Sequence, residues 1–118
     1  MTINSYDTLN TLPELSFIAG TDKVLTFKCY SDLGINLLDL SGGSVVTWRL
    51  CPYGQFTIET LNIAGIITGT GTFTVTISAA QSLTLRGKYI QQVIITDAVG
   101  NTFRPAQGTV IILPAIET

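Results

Sequence analysis

Residues 71–78 read Gly-Thr-Phe-Thr-Val-Thr-Ile-Ser, and this strict exchange of apolar and hydroxyl-bearing residues recurs from about residue 14 to residue 113. Successive side chains of a β-strand point to opposite faces, so a period of two marks a half-buried strand and cannot make a helical stripe. No stretch of helical period competes with it. Residues 14–18 form a first short strand and 23–31 a second, with Leu25, Phe27 and Cys29 on one face. Residues 44–53 carry Val46, Trp48 and Leu50 inward against Thr47, Arg49 and Cys51, and 71–78 carry Phe73, Val75 and Ile77 inward. Residues 88–96 and 102–113 complete the set, while 56–61 and 63–68 read as shorter strands or one broken hairpin. Turn-forming residues fill 32–36 and 97–101, and residues 79–85 break the period as a single helical turn crossing between sheets.

About seven short strands, with turn signals every ten residues or so, predict an all-β fold: an antiparallel β-sandwich over residues 14–114. A small closed barrel is the alternative closure. In the penultimate strand Tyr89, Gln91, Val93 and Ile95 are assigned inward, because Thr96 ends the other set with a hydroxyl. Gln91 then needs a buried hydrogen-bond partner. Tyr89 opens that strand and is placed to tie its hydroxyl back to the preceding corner. Ahead of the sandwich, residues 1–13 form a polar arm with Tyr6, Leu9 and Leu12, either a disordered leader or an extended arm lying on a neighbour. Residues 115–118 are a short C-terminal tail.

A chain of 118 residues is one domain by length and buries roughly two-thirds of the surface its unfolded form exposes. Apolar residues make up 46% and charged residues only 12%, which argues against disorder. Eighteen threonines stand where charge is missing; they suit strand surfaces and keep a hydroxyl towards water. A surface so poor in charge fits packing against other protein. Lys23, Lys28, Arg49, Arg86, Lys88 and Arg104 are scattered singly, so no basic stripe supports nucleic-acid binding. Apolar runs fall far short of the ~20 residues of a membrane helix, and the N-terminus has neither the basic nor the apolar region of a signal peptide.

In an antibody-type domain a disulfide joins the second and the penultimate strands. Cys29 suits the first of these positions, but Cys51 follows Trp48 on the third strand, whereas the pairing position falls near Gln91 or Val93. Alternation also turns Cys29 inward and Cys51 outward. The expectation is two free thiols in a reducing compartment.

Histidine is absent from the sequence, which removes Ser-His-Asp and Cys-His nucleophile pairs and the commonest metal ligand. The eight carboxylates fall mostly at predicted turns, and none shows calcium-loop spacing. Gly69-Thr-Gly71 leads into a strand rather than a helix, so it is a hairpin turn and not a phosphate loop. No catalytic residue, metal or cofactor is expected. Trp48 belongs to the core. Tyr53 and Phe56, set among Pro52 and Gly54, belong at a loop tip. With Tyr6, Leu9 and Leu12 of the arm they are the candidate contacts for protein or glycan.

Residues 15–31 (LSFIAGTDKVLTFKCYS), 37–50 (LLDLSGGSVVTWRL), 71–82 (GTFTVTISAAQS), 87–101 (GKYIQQVIITDAVGN) and 108–114 (GTVIILP) together resemble the small immunoglobulin-like domains of tailed-phage virion proteins. These include the N-terminal domain of phage baseplate upper proteins. The resemblance covers about residues 14–114 and implies an immunoglobulin-like sandwich with no enzymatic activity. It implies a structural subunit present in several copies, assembled in the host cytoplasm and docked on other virion proteins. The head is favoured slightly over the tail or baseplate. The absence of a long C-terminal extension favours an accessory subunit over an adaptor. A carbohydrate-binding module recognising host surface glycans is the competing expectation, with Tyr53 and Phe56 as its platform.

Overall fold

A computed structural model describes residues 1–5, 8–31, 36–40 and 42–114, and in them the alternating segments become ten strands and one helical turn. In chain order these are β1 (Thr2–Asn4), β2 (Asn10–Thr11), β3 (Leu15–Ile18), β4 (Lys23–Tyr30), β5 (Val45–Pro52), β6 (Leu61–Ala64), β7 (Ile66–Ile67), β8 (Thr72–Ile77), α1 (Ala79–Ser82), β9 (Gly87–Thr96) and β10 (Thr102–Leu113). The smaller sheet has the order β1-β4-β8-β7. The larger runs β2-β10-β9-β5-β6, with β3 also paired along β10.

The two sheets face each other across one core. Trp48, Phe27 and Phe73 are completely buried and form its bulk, with Leu50, Ile77, Ile95, Val93 and Val75 around them. Phe27 and Phe73 lie directly opposite each other on β4 and β8, and their rings stack with centroids 4.8 Å apart. Such cross-strand aromatic pairs pin sheet register. The expected facing of β9 holds: Tyr89, Gln91, Val93 and Ile95 are all buried. Gln91 finds its partner in Trp48, whose Nε1 donates to Oε1 at 2.8 Å. The hydroxyl of Tyr89 donates to the carbonyl of Arg86 at 3.0 Å and accepts from its N–H at 3.2 Å, closing the corner before β9.

The helical turn expected between residues 79 and 85 is α1. Ser78 caps it, accepting from Gln81 N while the Gln81 side chain accepts from Ser78 N. Asp22 accepts from Ala79 N at 2.7 Å, and Ser82 Oγ accepts from Gly20 N at 3.0 Å, so the turn is tied to the chain just before β4.

Three expectations need correction. The sheets are mixed rather than antiparallel: β1 runs parallel to β4, and β2 and β3 run parallel to β10. The strands number ten rather than about seven, chiefly because the arm supplies two of them, and the pair expected at 56–61 and 63–68 is instead β6 and β7. Residues 56–60 are a loop and not a strand. Beyond it, β6 pairs with β5 and β7 with β8, so the chain crosses from one sheet to the other at Gly65. A Cβ there would lie 3.1 Å from the Phe73 ring and 3.3 Å from Val46, a close approach that only glycine makes without displacing core atoms.

Among the described residues, the arm docks on its own domain. Ile3 is completely buried beneath the edge of β4, and Leu12 is buried against Gly108 of β10. Asn10 clasps the crossing between the two sheets. Its Nδ2 donates to the carbonyls of Asn4, Thr8 and Pro105, and its Oδ1 accepts from Asn4 N. The arm thereby covers the β4 edge and one end of the β10 edge, both of which would otherwise be open to pairing with another chain. Tyr6, the turn at residues 32–35 and the tail at 115–118 lie outside the described residues.

Candidate functional site

The outer face of the larger sheet carries the most distinctive surface. Cross-strand register sets its residues in rows. Asn62, Arg49, Gln92, Gln107 and Thr11 are successive partners across β6, β5, β9, β10 and β2. The next row is Cys51, Ile90 and Thr109. Directly opposed residues share a face, so these side chains all leave the core side of the sheet.

The loop after β5 folds back over this face. Gly54 takes a positive φ of 81°, and the chain then turns so that the Phe56 carbonyl lies 3.8 Å from Cys51 Sγ. Cys51 therefore points outward, as alternation requires, yet is buried under the loop. The loop raises one wall of a trough made of two adjoining depressions. The first, about 280 Å³, is lined by Arg49, Cys51, Phe56, Ile90, Gln92 and Gln107. The second, about 360 Å³, is lined by Thr11, Leu12, Glu14, Tyr53, Gly108 and Thr109, and shares Ile90 and Gln107 with the first.

Two cations on this face, Arg49 and Lys88, have partners. Arg49 Nε donates to Glu59 Oε2 at 2.9 Å, and the same oxygen accepts from Asn62 Nδ2 at 3.1 Å. Lys88 Nζ lies 4.0 Å above the centre of the Tyr53 ring, a cation–π contact that leaves Tyr53 half-exposed.

The loop-tip residues expected from sequence are thus brought together: Tyr53 and Phe56, 53% and 58% exposed, line the same trough. The arm residues divide. Leu9 is exposed away from the trough, whereas Leu12 belongs to the core and forms part of the trough wall. Trp48 is a core residue. Sequence reasoning missed Arg49, Gln92, Gln107, Thr11 and Thr109. Nothing in their local sequence sets them apart, because only the register between strands places them in rows.

Among the described residues no three of His, Cys, Asp and Glu are grouped so as to hold a metal ion, and no helix is long and apolar enough to cross a membrane. Cys29 and Cys51 are both free; Cys29 faces the core from the smaller sheet, and Cys51 lies on the outer face of the larger sheet. Burial in the core pushes the Cys29 thiol up to about 12, so it stays protonated and unreactive at neutral pH. No protein-family model and no curated protein sequence matches the chain.

Proposed function

We propose that this chain is a non-enzymatic attachment module of immunoglobulin-like type, a structural subunit that docks on the head, tail or baseplate proteins of a tailed-phage virion. Strand order supports the immunoglobulin-like part. With β4, β8 and β7 as strands B, E and D, and β5, β6, β9 and β10 as C, C′, F and G, the order is that of the variable-type sandwich, lacking only C″. The Tyr89–Arg86 corner at the start of strand F belongs to the same pattern. The free cysteines depart from it, so packing around Trp48 takes the place of an inter-sheet disulfide.

The observation that carries the docking role is the outer face of the smaller sheet. Thr26 and Thr74 lie directly opposite each other, as do Val24 and Thr76, Lys28 and Thr72, and Ile66 and Thr74. Val24 and Ile66 are 59% and 64% exposed. Lys28 is the sole charge among these residues. Desolvating a face of hydroxyls and aliphatic groups costs far less than desolvating the usual charged surface. Such a face suits an extended protein contact repeated in several copies, and the resemblance to phage virion domains supplies the context. Sedimentation and native mass spectrometry of the protein with purified particles test this. A protein that stays monomeric and never travels with particles overturns it.

A further inference from the structure

We propose that the trough on the larger sheet is a binding site for a neutral saccharide, whether or not the opposite face docks on a particle. A pyranose ring has two kinds of surface: faces of C–H groups and a rim of hydroxyls that both donate and accept. The trough offers a complement to each. Tyr53 and Phe56 stand half-exposed along it, above the aliphatic floor of Ile90. Gln92 and Gln107 lie directly opposite each other on β9 and β10, and neither side chain has a hydrogen-bond partner among the described residues. Each amide presents one acceptor oxygen and two N–H donors, so the pair matches adjacent hydroxyls of a sugar. Thr11, Thr109 and Glu14 add further acceptors and donors at one end. Both amides reach solvent in the trough, so the hydroxyls of a sugar would take the place of water at them.

The same residues disfavour other occupants. A phosphate chain or an acidic peptide draws on several clustered cations, whereas the lining of the trough holds one, Arg49, already paired with Glu59. An extended peptide draws its affinity from main-chain bonds along a sheet edge. The floor here is a sheet face, whose backbone groups are already paired within the ladder. The larger depression, about 360 Å³, falls in the range of roughly 300–1,000 Å³ that small-ligand sites occupy, and the smaller, about 280 Å³, adjoins it.

The test is a two-dimensional NMR titration of the whole protein with maltose, cellobiose, lactose and di-N-acetylchitobiose, with sialyllactose as an acidic control. At least one neutral disaccharide is expected to shift the amides of residues 49–56, 90–92 and 107–109 saturably and independently of salt. Gln107→Ala and Tyr53→Ala are each expected to weaken that binding about tenfold, the value of one good hydrogen bond or ring contact. Gln92→Ala serves as a second amide variant, and unchanged core resonances report that each variant is folded. Spectra unmoved by every neutral sugar overturn the proposal. So does binding confined to sialyllactose and lost in high salt, which is capture by charge. Shifts confined to the threonine face of the smaller sheet overturn it equally.

Discussion

The indole N–H of Trp48 and the side-chain oxygen of Gln91, 2.8 Å apart, form a buried side-chain hydrogen bond between β5 and β9 in the middle of the core. Both residues are completely buried, and Gln91 Nε2 has no partner among the described residues. The pair therefore carries an asymmetric cost. Gln91→Met leaves the indole N–H buried and unpaired, so it is expected to lower stability by about 1–3 kcal/mol. In a Trp48→Phe background the same change strands nothing and removes the unpaired amide, so it is expected to be neutral or stabilising. Urea denaturation of the four proteins gives the coupling directly, and equal effects in both backgrounds would contradict it.

Tyr89 tests the corner before β9. Tyr89→Phe keeps the ring and removes both bonds to the Arg86 backbone. A loss of about 1–2 kcal/mol is expected, read as a lower denaturation midpoint with an unchanged m-value.

The alternation that opened the sequence was enough to place β4, β5, β8 and β9, with their facings, because each of these strands has one face in the core. It also placed Gln91 inward, which its polarity alone argues against. The arm was not legible, since β1 and β2 are three and two residues long and pair in parallel, too short for any periodicity to register. Residues 56–60 misled for the opposite reason. Phe56-Thr-Ile-Glu-Thr60 alternates like a strand, yet the positive-φ turn at Gly54 and the Glu59–Arg49 pair fold it over the sheet as a loop. Of the trough, the two aromatics were visible as loop-tip residues. The amides were not, because a glutamine on the outer face of a strand looks like ordinary surface until its neighbour across the ladder is known.

Gly108 tests the docking of the arm. A Cβ at this position would lie 2.9 Å from both the Cβ and the carbonyl oxygen of Leu12. Gly108→Ala is expected to push the arm off β10 at a cost of about 1–3 kcal/mol, with earlier amide exchange at Leu12. Its N–H is bonded to the Gln107 carbonyl in the native protein. Unchanged protection at Leu12 would show that the arm is held elsewhere.

The two thiols are expected to react at separate rates. Cys51 lies on the outer face of the larger sheet beneath the loop that carries Phe56, whereas Cys29 lies in the core between the sheets. Local opening of a loop costs less than global unfolding, so a thiol reagent should modify Cys51 first and Cys29 only on unfolding. The raised value of Cys29 adds a pH dependence. Its folded value of about 12 exceeds the ordinary 9.0, so the stability it contributes is intact below pH 9.0 and is lost as pH rises towards 12. Cys29→Ala is expected to flatten the alkaline limb of the stability profile, and an unaltered limb would contradict this.

In the proposed docking role, the threonine face of the smaller sheet is the surface that holds this module on a virion. Thr74 sits in the middle of that face, between Thr26 and Ile66, and its side chain points away from the core. The most direct measurement is an immunoblot across a density gradient of purified phage particles, comparing the wild-type protein with Thr74→Arg. The wild-type protein is expected in the particle fractions, and the folded Thr74→Arg variant at the top of the gradient. Wild-type protein found only at the top, or a variant that sediments with the particles as well as wild type, would contradict the claim.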